Sequence, residues 1–299
     1  MKYDIVLLTE KQYINPEKVD WYVEQVLTED RLVQEALENK GLTVIKKDWA
    51  DPDFDWSSSK TILFRSTWDY FHRFDEFSPW LNKVSKMTTL INPAEQILWN
   101  MDKHYMKDLH DKGVPIVESH YIPRGTTLSL ETIHEKLGWN ETVIKPTVSG
   151  GARHTYRLNA DNYSEHEQLL AELIKKEDFI LQPFQKNVLK KGEVSHIVIH
   201  GKYSHSILKQ AKEGDYRVQD DYGGSIQLYT ASPEEIIYAE RATKACHPLP
   251  LYARVDVIWD NNDELALIEL ELIEPELWFR KNENAAVKLA DAIYTEYFL

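Results

Sequence analysis

Residues 252–272 alternate apolar and charged side chains with period two on both sides of Asn261-Asn262. Such alternation marks strands with one face against a core, and the Asn-Asn pair reads as a two-residue hairpin turn. That turn sets Asp260 opposite Asp263, Asp256 opposite Leu267, Arg254 opposite Glu269 and Tyr252 opposite Glu271. Arg254, Asp256, Glu269 and Glu271 then share one face, while Val255, Val257, Trp259, Ala266, Ile268, Leu270 and Leu272 form an apolar face. A slip of one residue would carry the glutamates to the face opposite Asp256, so the inference hangs on the turn. Three carboxylates on one patch repel one another unless cations sit among them. An all-oxygen donor set of this kind suits Mg²⁺ or Mn²⁺ held together with substrate phosphates. The plain alternative is a solvated sheet face, in a chain that carries 49 acidic residues.

The first ninety residues alternate strand and helix. Strands are expected over 5–8, 42–45, 61–64 and 89–91, and helices over 20–39 and 76–86. This order implies a parallel sheet covered by helices, in which ligands sit beyond the carboxyl ends of the strands. Arg65, Ser66, Trp68 and Asp69 fall just past the third strand, where a ligand would sit, and Arg65 and Asp69 carry charges suited to the carboxylate and amine of an amino-acid-like substrate; a loop with an exposed Arg and a packed Trp is the plain alternative. Trp68, Trp80 and Trp99 read as core. Asn92-Pro93 marks a boundary, and a helix over 102–112 ends at Gly113. The remainder reads as strand-rich, with strands at 142–145, 179–181, 194–200 and 203–209 and a hairpin at His200-Gly201. The fold class is therefore α+β with an α/β N-terminal domain.

Two loops could meet phosphates or a base. The strand Val143-Ile144-Lys145 runs into Ser149-Gly150-Gly151-Ala152-Arg153, whose small residues let backbone N–H groups approach an anion while Lys145 supplies a point charge. A hairpin tip would look the same. No GxxxxGK[ST], GxGxxG or GxSxG occurs, which removes the P-loop, Rossmann and hydrolase-elbow readings. Gln182-Pro183-Phe184 could be an adenine-sized hinge, with Phe184 or Gln185 supplying the donor that Pro183 lacks. Arg217 taken alone is a surface ion-pair partner, and His196, His200 and His205 are ordinary sheet positions rather than a metal cluster. Cys246, the single cysteine, is structural and fits a reducing compartment. A net charge of −14 disfavours nucleic acid and anionic lipid as partners. No run approaches the roughly 20 apolar residues that span a bilayer, so the expected location is the cytoplasm.

Taken in order, several segments resemble the ATP-grasp superfamily, glutathione-synthetase-like ligases and most closely the O-ureidoserine cyclo-ligase type. They are 65–70, 99–103, 143–153, 182–184, 192–195, 214–219, and Arg254-Val255-Asp256 with Glu269-Leu270-Glu271. The resemblance implies two α+β lobes enclosing ATP (92–181 and 182–299) behind a small substrate domain (1–91). Lys103 and Lys145 would hold the α- and β-phosphates, and Ser149, Gly150, Gly151, Ala152 and Arg153 would form a flap over the triphosphate. Gln182, Pro183 and Phe184 would line the adenine, Glu193 would take the ribose, and Lys209 would reach the phosphates or the base edge. Asp256, Glu269 and Glu271 would hold two Mg²⁺ ions, and Arg217 and Arg254 would stabilise the transferring phosphoryl group and the tetrahedral intermediate. The sequence departs from many relatives in carrying Glu271 where Asn is common, and in its short flap.

The implied reaction converts a small-molecule carboxylate and ATP to an acyl phosphate and ADP, after which an amine displaces phosphate. Ring closure within one molecule, a non-catalytic nucleotide-binding protein and a structural interaction protein are the alternatives. Oligomeric state, including a homo-oligomer, is left open.

Overall fold

The chain opens on a parallel sheet with both faces covered, the arrangement its first ninety residues foretell. The computed structural model describes residues 1–127, 129–212, 214, 218 and 223–299. Within it β1 (Tyr3–Thr9), α1 (Trp21–Glu38), β2 (Val44–Asp48), β3 (Ser59–Ser66), α2 (Phe74–Val84) and β4 (Thr89–Ile91) follow in turn. The strands are parallel in the order β2-β1-β3-β4. Asp20 caps α1 by accepting from the Val23 amide at 3.0 Å, and Gly41 ends the turn beyond it with φ +81°. Side-chain alternation along β1 divides the interior. Ile5 and Leu7 enter one core with Val33 and Leu37 of α1, and Val6 and Leu8 enter another with Phe77 of α2, Trp49 and Trp56.

The middle of the chain holds more helix than its sequence suggests. α3 (Ala94–Asn100) and α4 (Tyr105–Asp111) replace the single helix expected over 102–112. Then come β5 (His120–Ile122), α5 (Leu130–Leu137), β6 (Glu141–Pro146), β7 (Tyr156–Asn159), α6 (Tyr163–Ile174) and β8 (Phe179–Pro183). The four strands form an antiparallel sheet in the order β5-β8-β6-β7, which packs on Ile133 of α5 and on Leu170 and Ile174 of α6. The expected division after residue 181 falls inside β8.

The last third comprises α7 (Val188–Lys191), β9 (Glu193–Ile199), β10 (Lys202–Gln210), β11 (Ser225–Tyr229), α8 (Pro233–Lys244), β12 (Tyr252–Trp259), β13 (Leu265–Glu271) and α9 (Glu283–Tyr297). Its antiparallel sheet runs β11-β10-β9-β12-β13. His200 and Gly201, at φ +48° and +72°, make the expected two-residue turn between β9 and β10. One face of the sheet (Val198, Val255, Val257, Leu267 and Leu270) packs on α4 and α8. Across the other face, Ile197, Ile199, Ile207 and Tyr252 join α1 and α9. Among the described residues no helix is long and apolar enough to cross a membrane.

The final hairpin corrects the expected register and keeps the expected face. Its loop is one residue longer than a two-residue turn. The Asp260 amide donates to the Glu264 carbonyl at 2.8 Å, and Asp263 takes φ +69°. Trp259 therefore faces Leu265, and Val257 faces Leu267. A bulge between Asp256 and Val257 then adds a second slip of one residue, so Asp256 faces Glu269 and Arg254 faces Glu271. Two single slips restore the parity that one would have destroyed. The bulge also divides the supposed apolar face. Ala266 and Ile268 pack with Val117 and Ile258, separate from the cluster around Val255 and Leu270.

Candidate active site

Both antiparallel sheets contribute to the walls of one cavity of about 360 Å³. Val143 and Lys145 come from β6 and Gln182 from β8, while Glu193, Lys209, Arg254, Asp256, Glu269 and Glu271 come from the large sheet. Period two explains the second group, since Glu193 pairs with Lys209, and Asp256 lies opposite both Ser195 and Glu269. Two asparagines fix β13 in place. Asn100 donates to the Leu270 carbonyl at 2.8 Å and accepts from the Leu272 amide at 2.8 Å, and Asn92 donates to the carbonyls of Tyr252 and Leu272.

Donor oxygens of Asp256, Glu269 and Glu271 lie within 4.8 Å of one another, the only such group of potential metal ligands among the described residues. Cations surround them. Arg254 Nε donates to Asp256 Oδ1 at 3.0 Å, and its Nη2 reaches Asp256 Oδ2 at 2.9 Å and also Glu271. Lys209 pairs with Glu193 and lies 3.3 Å from Asp256 Oδ2, and Ser195 Oγ donates to Asp256 Oδ1 at 2.6 Å. Lys103 Nζ sits 3.1 Å from Glu269 and donates to the Ser149 carbonyl at 2.7 Å.

This arrangement separates the acids. Burial alone would raise Asp256, but Arg254 and Lys209 outweigh it and hold the carboxyl well below the usual carboxylate range. Burial is outweighed likewise at Glu269, which Lys103 and Lys145 keep low. At Glu271 burial prevails over Arg254, with Glu269 and Asp256 adding to it, and the carboxyl is pushed up to about 7. Glu274, beyond the strand end, is pushed up to about 8 by burial and by Glu271. Burial lowers Lys145, whereas Asp256 and Glu193 overcome burial at Lys209 and raise it. Hard carboxylate oxygens, a ring of lysines and one arginine can hold a divalent cation and a polyanion side by side.

A pH dependence follows from these values. The folded chain binds protons at Glu271 and Glu274 more readily than the unfolded chain does, so their charged forms oppose folding at alkaline pH. Acidifying the ligand-free protein from about pH 8.5 to about pH 6.5 is expected to stabilise it by about 3 kcal/mol. A melting temperature that stays level or falls over that interval contradicts the assignment. Below that interval two histidines oppose the continuing gain from the acids. His196 and His205, buried and held neutral with values near 4, let the unfolded chain take up their protons first.

Several expected residues stand elsewhere. Arg65 is 4% exposed at the end of β3 and lies outside the cavity lining. Its Nε lies 3.5 Å from Asp30 and its Nη2 3.9 Å from Glu29, and its guanidinium covers Phe279. Asp69 accepts from Trp49 Nε1 at 2.6 Å and from Arg73 at 2.9 Å, and it too is outside the cavity lining. Neither member of the expected substrate pair lines the cavity. Arg153 does not line the cavity either; it pairs with Glu177 and donates to the Val148 carbonyl. Of the two expected hinge donors, the Phe184 amide is engaged by the Glu141 carbonyl at 2.8 Å. Arg217 lies outside the described residues. His196 bonds Ser206 and His205 bonds the Leu277 carbonyl, as sheet positions should. Cys246 is buried, with its thiol pushed up to about 12.

Further residues line the cavity beside those already described. Tyr22 and Trp68 of the N-terminal unit line it, as do Glu274 and Glu276. Trp68, expected to be core, donates to the Glu274 carbonyl at 2.9 Å and so ties that unit to the segment after β13. The sequence signal was the continuation of acids past the strand, Glu271-Leu272-Ile273-Glu274-Pro275-Glu276.

Residues 5–92 match a family model described as the N-terminal domain of D-cycloserine synthetase DcsG, and residues 124–293 match the RimK-like ATP-grasp domain. The chain is 30% identical to the cycloserine biosynthesis protein DcsG of Streptomyces lavendulae, over 87% of this chain and 90% of that protein. Against the crystal structure of D-cycloserine synthetase DcsG it superposes with a TM-score of 0.86 at 26% identity, covering 98% of this chain and 99% of the other. The D-alanine–D-alanine ligase of Bacillus anthracis gives 0.67 at 15% identity over 98% and 96%. The ATP-grasp ligase PsnB with its minimal precursor gives 0.66 at 16% identity over 99% of each chain.

Proposed function

Because this chain belongs to the RimK-like ATP-grasp ligases, enzymes that form C–N bonds with ATP, we propose that it activates a small-molecule carboxylate, amino-acid-like in character, for attack by an amine. The observation that carries this reading is the cavity itself, where three carboxylates face one another among Lys103, Lys145, Lys209 and Arg254. In the first step a substrate carboxylate oxygen bonds to the γ-phosphorus as the bond to ADP breaks. In the second, the amine nitrogen bonds to the acyl carbon, inorganic phosphate leaves and the nitrogen loses a proton.

Lys103 and Lys145 would hold the α- and β-phosphates. Residues 149–152 would cover the triphosphate, with Arg153 anchoring the loop from outside rather than touching the nucleotide. Gln182, Pro183 and Phe184 would line the adenine, with Gln185 as amide donor, and Glu193 would take the ribose. Lys209 would reach the phosphates or the base edge. The oxygens of Asp256, Glu269 and Glu271 fit Mg²⁺, which when bound neutralises phosphate charge. Arg254 lies beside the same carboxylates and would share the charge that spreads over the transferring group; the same role is proposed for Arg217. Residues 1–91 would be the substrate domain, and 92–181 and 182–299 the lobes around ATP. Tyr22, Trp68, Glu274 and Glu276 replace Arg65 and Asp69 as the proposed substrate wall, whose acidic character suits an amine.

Ring closure within one molecule is the second reading, favoured by the match of residues 5–92 to the DcsG N-terminal model. Product mass separates the two: one substrate less water for closure, two substrates less water for ligation. Nucleotide binding is tested by thermal melting with Mg²⁺ and a non-hydrolysable ATP analogue. Ligand at about 100 times its dissociation constant stabilises by about 2.7 kcal/mol, a shift of several degrees. Lys145→Ala is expected to abolish that shift. A folded wild-type protein with no shift sinks the reading.

A further inference from the structure

We propose that Phe71 is a positioning residue, the ring through which the N-terminal unit holds the glycine loop 149–152 over the cavity. The inference rests on the ATP-site reading for its functional meaning and on packing for its geometry. A Cβ built on Gly150 would lie 2.5 Å from Phe71 Cε1 and 2.9 Å from Cδ1, closer than carbon atoms approach, and one on Gly151 would lie 3.5 Å from Cζ. The two glycines answer different demands. Gly151 has φ +55°, a backbone conformation that disfavours side chains, whereas Gly150 has an ordinary φ and is glycine because the ring leaves no room.

The base of the loop is tied within its own lobe. Lys103 Nζ donates to the Ser149 carbonyl, Ser149 Oγ donates to the Arg153 carbonyl at 3.0 Å, and Arg153 Nη2 donates to the Val148 carbonyl at 2.9 Å. The crest is met from across the cavity. Phe71 packs edge-on to Tyr70 at 5.5 Å between centroids, and Tyr70 is buried against Phe77 in the core between α2 and the parallel sheet. Val148, at the foot of the loop, packs against the same cluster. Phe71, Trp68 and Tyr70 all line the cavity within four residues of chain, so the segment that walls the proposed substrate also sets the loop. A loop that loses this contact would bind triphosphate less tightly and admit water to an acyl phosphate.

The test is a double-mutant cycle on Phe71→Ala and Gly150→Ala, with Phe71→Leu as the conservative variant. Two readouts are taken: affinity for the non-hydrolysable ATP analogue with Mg²⁺, and amide exchange of residues 149–155 in the ligand-free protein. Each single alanine variant is expected to weaken the analogue about tenfold, while the double variant binds no worse than Phe71→Ala, because the new methyl then fills the space the ring has left. Phe71→Ala is also expected to speed exchange in the loop about tenfold without lowering the melting temperature, and Phe71→Leu to restore most of the protection. Independent, multiplying losses in the double variant overturn the proposal, and so does unchanged exchange in Phe71→Ala. If the wild type binds no analogue, the ATP reading falls while the exchange result still decides the contact.

Discussion

Glu269→Gln lowers ATP turnover by about 10³-fold and leaves the protein folded. The size follows from the ionisation of the acids. Glu269 is kept low by Lys103 and Lys145, so it is fully charged at neutral pH, and the substitution removes a whole negative charge from the proposed metal site. Glu271, pushed up to about 7, is already close to half protonated there, and Glu271→Gln imitates a form the ligand-free protein samples. Its expected loss is therefore smaller, about tenfold at pH 7 and larger at pH 8.5. Steady-state ADP release under saturating Mg²⁺ measures both. Equal losses for the two variants would show that the ionisation order is wrong, and wild-type turnover in Glu269→Gln would remove the metal site from the mechanism.

Arg254→Met has the largest expected effect on stability. Asp256 is 1% exposed and takes most of its compensation from this guanidinium, and Glu271 shares it. Removing one member of a buried ion cluster leaves carboxylates without a partner, at a cost of about 3–5 kcal/mol, or roughly 5–8 °C for a chain of this size. The same reasoning predicts a rescue. Mg²⁺ brings positive charge to the same oxygens, so the ion should raise the melting temperature of Arg254→Met more than that of the wild type. A variant that melts like the wild type would mean that the acids discharge by taking up protons, which a steeper pH dependence of its stability would reveal.

How much of the molecule is legible in the sequence varies with the physics that fixes each part. The parallel sheet reads well because β1, β3 and β4 are short apolar runs and Asp20 and Gly41 bracket α1. The face shared by Arg254, Asp256, Glu269 and Glu271 reads well because parity survives any even slip. The register does not, since it depends on Asp263 adopting φ +69° and on a bulge with no glycine or proline to announce it. α8 was announced by Ser232-Pro233-Glu234-Glu235, in which Ser232 and Glu235 form a full capping box. Arg65 shows a subtler miss. Its place near the strand end suggested a ligand, but period two sets it on the side of Leu63, facing α1. There Glu29 and Asp30 sit on the apolar stripe between Val26 and Val33. Two acids on the inward side of a helix call for a cation, and Arg65 answers them together with Lys46 and Arg280. The wall of Tyr22, Trp68, Glu274 and Glu276 draws on residues more than 200 positions apart, which no local pattern links.

The packing of α9 sets a timetable for the chain's own making. Ile5, Leu7, Val33 and Leu37 complete their core only when Ala285, Leu289 and Ile293 arrive. Nearly the whole chain must be synthesised in between, which at about 5–20 residues per second takes roughly 15 s to a minute. For that interval the apolar side of α1 that α9 covers is bare, and it resembles the surfaces that holdase chaperones grip. The N-terminal unit is thus made long before α9 and closes only when α9 arrives, so removing α9 should expose its apolar side and trap newly made protein in chaperone complexes or aggregates.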